Sequence, residues 1–466
     1  MHFLQIILIF NLLIIHMLSI KNGANFMLNL QTSIFYNLQE FIESSPLYRK
    51  YYFLFQSLDL SNITDRNKGV GCTGYSRRAM LRALIIKHLE EIKTIPRLVE
   101  FLENHPVIAE LCGFDMRKSL PDESQFYRFL KTINNSVLEK IHHQVNKKLI
   151  ADGIISVDTF IMDSKPVMAA SKDNNFKNPN RNTTNKEKKP KRNPSATLGY
   201  YSYQNINGSK KNQLFYWGYR THVIISKEGI PLIELTLPNN RTDAKVAKKL
   251  IKKLKRVYGV NKNSIFIADA AYDEKNLYDF IIEQLKCQAY IPINPRNTQN
   301  DKVFGSNGCP LCEAGMEMKS NGTIKETKRT RIKYRCPLKV DKNIADKYPD
   351  GCPKNHEKFV SGKQYGCTKY VDITNDARAN VPRDSLAFKQ TYNLRTGVER
   401  YFARLGDREL EQTTHYKLKS IKNQMTIAHL SLSLVAYAAA VLMKQPDKIR
   451  CYRTFAQGPI PTKAVA

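Results

Sequence analysis

Three acidic residues in this chain have the settings that metal-assisted phosphoryl transfer needs: Asp163 in FIMDSKPV, Asp269 in SIFIADAAYDEKNL and Glu399 in YNLRTGVERYF. Magnesium takes oxygen ligands and is usually held by a few carboxylates together with a substrate phosphate. Two such ions can serve both the attacking and the leaving oxygen of an in-line displacement. Residues 264–268 form a brief apolar run between polar residues, the pattern of a short buried strand, and Asp269 follows at its carboxyl end. Asp273, Leu277, Phe280 and Ile281 continue as an N-cap and apolar positions of helical spacing, and residues 288–293 resume as a strand. Residues 154–162 read as an extended stretch rich in β-branched side chains, with Asp163 at its end. Tyr392, Arg395 and Glu399 are spaced three and four apart, which puts them on one face of a helix, a cationic donor beside an acid.

Each acid has a bland rival. A strand-end aspartate is more often a turn or cap residue than a ligand. Asp158 competes with Asp163, but an odd separation along an extended strand turns the two to opposite faces, so only one joins a site. Asp273 competes with Asp269 and is assigned to capping. Around Glu399, the residues Arg400, Arg404, Asp407, Arg408 and Glu409 read equally well as a solvated helix face.

In order and spacing these blocks resemble the DDE transposases of bacterial insertion sequences, specifically the insertion sequence 4 superfamily, and the resemblance spans most of the chain. GYSRRAMLRALIIKHLEEIKTIPRLVEFLENHPVIAELCGF and LPDESQFYRFL resemble that family's helical amino-terminal region. KPVMAASK, FYWGYRTHVIIS and GIPLIELTLPNNRTDAK resemble its central strands, and Tyr392, Arg395 and Glu399 match its tyrosine, arginine, glutamate signature. The resemblance implies an α/β fold with an RNase H-like core. Asp163, Asp269 and Glu399 would be the triad for Mg²⁺ or Mn²⁺, with Tyr392 and Arg395 on transposon-end DNA. It further implies cleavage at the ends, strand transfer into target DNA, and a homodimer that holds two ends together. The family signature continues to a lysine seven residues past the glutamate, where this chain has Gly406. Arg404 and Arg408 are the nearby candidates for that role, although Arg and Lys are not interchangeable at phosphates.

Charge fits a polyanionic partner. The chain carries 73 Lys and Arg against 42 Asp and Glu, a net charge of +31, so it attracts nucleic acid and binding should weaken steeply with salt. Part of that charge is concentrated in residues 245–257, where Lys249, Lys253 and Arg256 lie with other lysines opposite Val246, Leu250, Ile251 and Leu254. A basic amphipathic helix of this kind meets DNA, a membrane surface or only solvent. Residues 171–194 are basic and nearly devoid of apolar side chains, which predicts a mobile loop beside Asp163 able to clamp DNA.

Five of the nine cysteines fall within 309–367. Cys309 and Cys312 have the spacing of a zinc knuckle, and with Cys336 and Cys352 they read as a zinc-ribbon-like insertion between the second and third acids. Cys367 and His356 compete as ligands, and free thiols are the alternative. Disulfides do not suit a cytosolic protein.

Residues 1–26 are an apolar leader without a basic first segment, and translation is expected to begin at Met27. The other long apolar run, 427–443, contains His429, Ser431 and Ser433 and reads as a core helix rather than a membrane span. The expected organisation is a helical domain over 27–150, a catalytic α/β domain over 151–300 and 371–450, the cysteine-rich insertion over 301–370 and a tail over 451–466. No glycine-rich phosphate loop is present, which excludes ATP chemistry of the usual kind. A cytoplasmic, nucleoid-associated protein with no membrane contact is expected. A stand-alone metal-dependent nuclease, or a decayed copy that only binds DNA, are the alternative functions.

Overall fold

The computed structural model describes residues 38–444 except 66–73, 175–189, 205–210, 241–242, 295–303, 306, 375–376, 382, 407–416 and 443. The apolar leader, the expected start at Met27 and the tail therefore lie outside the described residues, as does the middle of the basic loop.

Seven helices open the described chain: α1 (Leu38–Ser44), α2 (Pro46–Gln56), α3 (Arg77–Leu89), α4 (Ile95–Asn104), α5 (Pro106–Cys112), α6 (Glu123–Thr132) and α7 (Asn135–Ala151). Their starts follow from local chemistry. Ser76, Thr94, Asp122 and Asn134 each accept a hydrogen bond from a backbone N–H of the first turn, and helix α5 stops where Gly113 takes a left-handed conformation. Leu81, Leu84, Ile85, Leu89, Leu98 and Leu102 are buried, as their periodicity predicts.

The main sheet contains β1 (Thr159–Met168), β2 (Thr197–Gln204), β3 (Lys211–Ser226), β4 (Pro231–Pro238), β5 (Ile265–Ile267) and β6 (Gln288–Tyr290), in the order β2, β3, β1, β5, β6, with β4 also on β3. β1 runs antiparallel to β3 and parallel to β5, and β5 runs parallel to β6. Helix α8 (Asp243–Tyr258) joins β4 to β5. After a small insertion come α9 (Leu386–Tyr392), α10 (Thr396–Gly406) and α11 (Leu418–Tyr437).

Alternation along the strands separates two apolar layers. Phe160, Met162, Ile224 and Phe266 pack toward the amino-terminal helices and α8. Ile161, Val167, Val223, Ile225 and Ile267 pack against Val398, Tyr401 and Leu405 of α10. Helix α11 serves both sides, through Ile427, Leu430 and Leu434 on one and Ile421, Met425 and Leu432 on the other. The apolar run expected to be a core helix is just that: Leu418–Val441 is long and apolar enough to cross a membrane by composition, yet 89% of it is buried within the protein. Several of its polar residues bond to α6, α7 and the turn between them: Asn423 donates to Leu130 O (2.8 Å) and Ile133 O (3.0 Å), Asn135 donates to Thr426 (2.9 Å), and His142 meets Ser433 (3.0 Å).

Several local expectations need correction. Asp163 sits inside β1 and not at its end, because Ser164 to Met168 continue the ladder opposite His222 to Gly218. Gly218 is required there: a Cβ would fall 2.2 Å from Val167 O. Asp273 does not cap the following helix. It is buried, accepts from Asn294 N (2.8 Å), and the helical turn Lys275–Tyr278 starts after Glu274. Tyr392, Arg395 and Glu399 do not share one regular helix, since the 3₁₀ turn Asn393–Arg395 separates α9 from α10. The flanks of the basic loop are fixed: Asn174 donates to Ala169 O (2.6 Å) and Trp217 O (2.7 Å), and buried Asn193 meets Tyr219.

Candidate active site

Asp163 shares its face of β1 with Ile161 and Val167, the face turned to α10. Asp158, of opposite parity, is exposed and pairs with Lys227 (2.9 Å). Asp269 follows β5, which lies beside β1 with Ile161 opposite Ile267. Its Oδ1 accepts from Ala271 N (3.0 Å), so it also shapes the 3₁₀ turn Ala270–Tyr272. Glu399 stands in the first turn of α10 and is 59% exposed, whereas the Asp163 side chain is 13% exposed. One guanidinium links the strand to the helix: Arg395 donates to Asp163 Oδ2 (3.3 Å) and to Glu399 Oε1 (2.7 Å). Tyr392 stacks on Phe388 with ring centroids 5.8 Å apart.

The two strand acids disfavour each other's charge. Burial, then the Asp269 carboxylate, pushes the Asp163 carboxyl up to about 7 against the pull of Ser164 N–H and Arg395. Burial also raises Asp269, with Arg395 opposing. A divalent cation would relieve this repulsion, and the Arg395 charge already occupies one side of the acid group. The donor set therefore suits a hard cation. Among the described residues no three acids, histidines or cysteines converge tightly enough to hold an ion as they stand. At this site Glu399 is directed to Arg395.

Asp243 was missed by reading the sequence. At the start of α8 it accepts from Ser164 Oγ (3.0 Å), pairs with Arg220 (3.1 Å) and lies 3.4 Å from His222 Nδ1. Its charge raises both Asp163 and Asp269. His222 is fully buried and burial lowers its pKa to about 4. Arg220 and His222 alternate along β3, opposite Pro166 and Ser164 of β1. Only strand pairing brings them to Asp243, and no local spacing announces it.

The basic helix α8 divides its lysines. Lys249 and Arg256 are exposed. Lys253 does not belong with them: its Nζ pairs with Glu139 Oε1 of α7 (2.8 Å) and donates to Glu234 O (3.3 Å), leaving the side chain 11% exposed. It fastens the amino-terminal helices to the sheet and is removed from the DNA-contacting set. Arg404 donates to Gly229 O (2.7 Å), and Arg408 lies outside the described residues.

The cysteine-rich insertion is a small antiparallel sheet of β7 (Lys319–Lys325), β8 (Thr330–Arg335) and β9 (Thr368–Asp372). It is docked by Ser320 N on Asp384 (2.8 Å), while neighbouring Arg383 donates to Ile291 O (2.9 Å) and Tyr278 (2.7 Å). Cys309 and Cys312 pack with Met318, Ile332, Tyr334 and Ile373, whereas Cys336 and Cys352 pack with Leu338.

Comparison with known families gives two matches, "Transposase DDE domain" over residues 158–434 and "Transposase domain (DUF772)" over residues 29–132. The first covers more than half of the chain, and the chain belongs to that family. It is a DDE transposase, an enzyme of DNA phosphoryl transfer that acts at transposon ends. No curated protein matches it. Among solved structures it is similar to the "Cryo-EM structure of piggyBac transposase synaptic complex with hairpin DNA (SNHP)", at 9% identity over 90% of this chain and 78% of that one, TM-score 0.35. It is also similar to the "Mos1 transposase paired-end complex with left transposon end", at 13% identity over 59% of this chain and 70% of that one, TM-score 0.16. At such TM-scores neither likeness carries an argument about this chain.

Proposed function

We propose that the chain is a transposase of insertion sequence 4 type, with an RNase H-like core in which Asp163, Asp269 and Glu399 are the catalytic carboxylates. The observation that carries this reading is the Arg395 bridge, which gathers segments 232 and 4 residues apart in sequence, Asp163 and Glu399, beside Asp269. The strand order fits it: β4, β3 and β1 are antiparallel neighbours, and β5 and β6 continue parallel to β1.

The three carboxylates would hold Mg²⁺ or Mn²⁺, whose chemistry is to favour the attacking oxygen and offset charge on the leaving one. The protein's own part is placement. β1 and β5 carry the two half-buried acids, and Glu399 of α10 is linked to Asp163 through Arg395. Arg395 supplies a fixed positive charge where negative charge gathers on a phosphate. Tyr392 and Arg395 line the same edge and would meet transposon-end DNA, with Lys249 and Arg256 contacting backbone farther out. In this reading a homodimer holds two ends, and the protein works in the cytoplasm on the nucleoid.

The test is a cleavage and strand-transfer assay on the element's own end sequences with Mg²⁺ or Mn²⁺, beside Asp269→Asn. Metal-dependent joining that disappears in the variant while end binding persists is the expected result. Cutting without joining would make the chain a nuclease, and binding without cutting would make it a decayed copy.

A further inference from the structure

The insertion carries chemistry that transposition does not use. Its sheet is small, and its apolar residues form two minor groups, one around Met318, Ile332 and Tyr334 and the other around Leu338. A module with so little core usually relies on a metal or disulfides. Every described cysteine is free.

The β8–β9 register pairs Arg335 with Thr368, so the next facing pair, just past the ladder, is Cys336 and Cys367. Cys336 N donates to Tyr365 O (3.1 Å), which closes that end. Between them Gly366 is left-handed, and a Cβ there would lie 2.8 Å from Cys336 Cβ and 3.5 Å from its sulfur. The chain thus folds directly over the Cys336 thiol. Cys352 packs with Cys336, and Cys367 adjoins both this pair and the group containing Cys312. Cys312 occupies a tight turn of its own, its N–H donating to Met316 O and its carbonyl accepting from Gly315 N, both at 2.9 Å. Cys367 thus lies between the group that holds Cys312 and the group that holds Cys336 and Cys352.

Cys309 and His356, the other candidates, are engaged elsewhere. Cys309 is buried beside Met318 and Tyr334, with Asp384 and Glu317 as the nearest acids acting on it. His356 Nδ1 accepts from Lys358 N (3.2 Å) as a helix cap, and its Nε2 lies 3.5 Å from Glu313.

We propose that Cys312, Cys336, Cys352 and Cys367 form a four-sulfur structural zinc site, with Cys309 as a packing residue of the small sheet. The choice of metal follows from the ligands, since four thiolates suit tetrahedral zinc with Zn–S near 2.3 Å. Cys336, Cys312 and Cys352 all lie near enough to Cys367 to act on its thiol. No three thiols converge at ligating distance as they stand.

The test uses the full chain, metal-loaded and freed of loose metal by gel filtration. Zinc is counted by mass spectrometry in the unmodified chain and in Cys367→Ser, Cys336→Ser and Cys309→Ser. About one zinc per chain is expected, falling at least tenfold in the first two variants and unchanged in Cys309→Ser. Circular dichroism of the helices identifies a variant that has unfolded as a whole. A second measurement needs no variant: the cobalt-loaded chain should show sulfur-to-cobalt charge transfer and the strong visible bands of a tetrahedral site. Absence of those bands, zinc-free protein after loading, or zinc kept by Cys367→Ser and lost by Cys309→Ser each overturns the assignment. None of these readouts depends on DNA, so the result is independent of the transposase mechanism.

Discussion

The acids on the strands and the acid on the helix are held by different means. Asp163 and Asp269 are half-buried, carried by adjacent parallel strands, and each accepts a backbone N–H close in sequence. Glu399 is exposed, and its hydrogen bond to Arg395 links it to the strand side. Holding two carboxylates on adjacent strands costs desolvation and charge repulsion, which raise the Asp163 pKa, whereas Glu399 on its helix is exposed and paired with Arg395.

The largest effect expected from this contrast is on chemistry. If the three acids act as proposed, Asp163→Asn, Asp269→Asn and Glu399→Gln should each lower end cleavage by about 10²–10³-fold. Gel-shift assays should show end binding nearly unchanged. A Glu399→Gln enzyme that still cuts at a tenth of the normal rate would show that the helix acid is dispensable.

Stability should separate the two sides next. Lys253→Ala strands Glu139 and weakens the hold on Glu234, and by the cost of breaking a partly buried pair it should lose roughly 2–4 kcal/mol in urea denaturation. A loss below about 0.5 kcal/mol would return Lys253 to the surface lysines.

The pH dependence follows the strand acids. In the unfolded chain Asp163 releases its proton near pH 4, whereas in the fold it holds the proton up to about 7. The folded state therefore binds more protons across that window, and metal-free protein should lose stability as pH rises from about 4 to about 7. Urea titrations in a chelator test this, with Asp163→Asn flattening the slope. An unchanged slope in that variant would assign the effect elsewhere.

The smallest effect is expected at exposed Lys249. Lys249→Ala should alter stability by less than about 0.5 kcal/mol and reduce the salt dependence of DNA binding by about one counterion. The same reduction with a preference for particular end sequences would mean that Lys249 reads bases.

Legibility in the sequence followed the range of the interactions. The strand and turn that deliver Asp269 were readable because apolar residues 265–267 are bounded by polar ones. Helix α3 was readable from the periodicity of Leu81, Leu84, Ile85 and Leu89. The extent of β1 was not, because Ser164 and Lys165 interrupt the apolar pattern where the strand faces the acid crevice, and only pairing with β3 keeps it extended. The roles of Lys253 and Asp243 depend on partners on α7 and β3 far away in sequence. Nothing in the spacing of the cysteines shows that Cys336 and Cys367 face each other; the register of β8 and β9 does.

Helix α11 has a consequence for the order in which this protein comes into being. It is made after every other labelled element, yet it supplies apolar side chains to both faces of the sheet and hydrogen bonds to α6 and α7. A nascent chain that has not yet reached α11 leaves its strands and early helices uncovered on the side α11 will fill, the condition in which chains aggregate. Loss of α11 would therefore expose apolar surface on both layers of the sheet at once, and a chain ended before it is expected to be aggregation-prone.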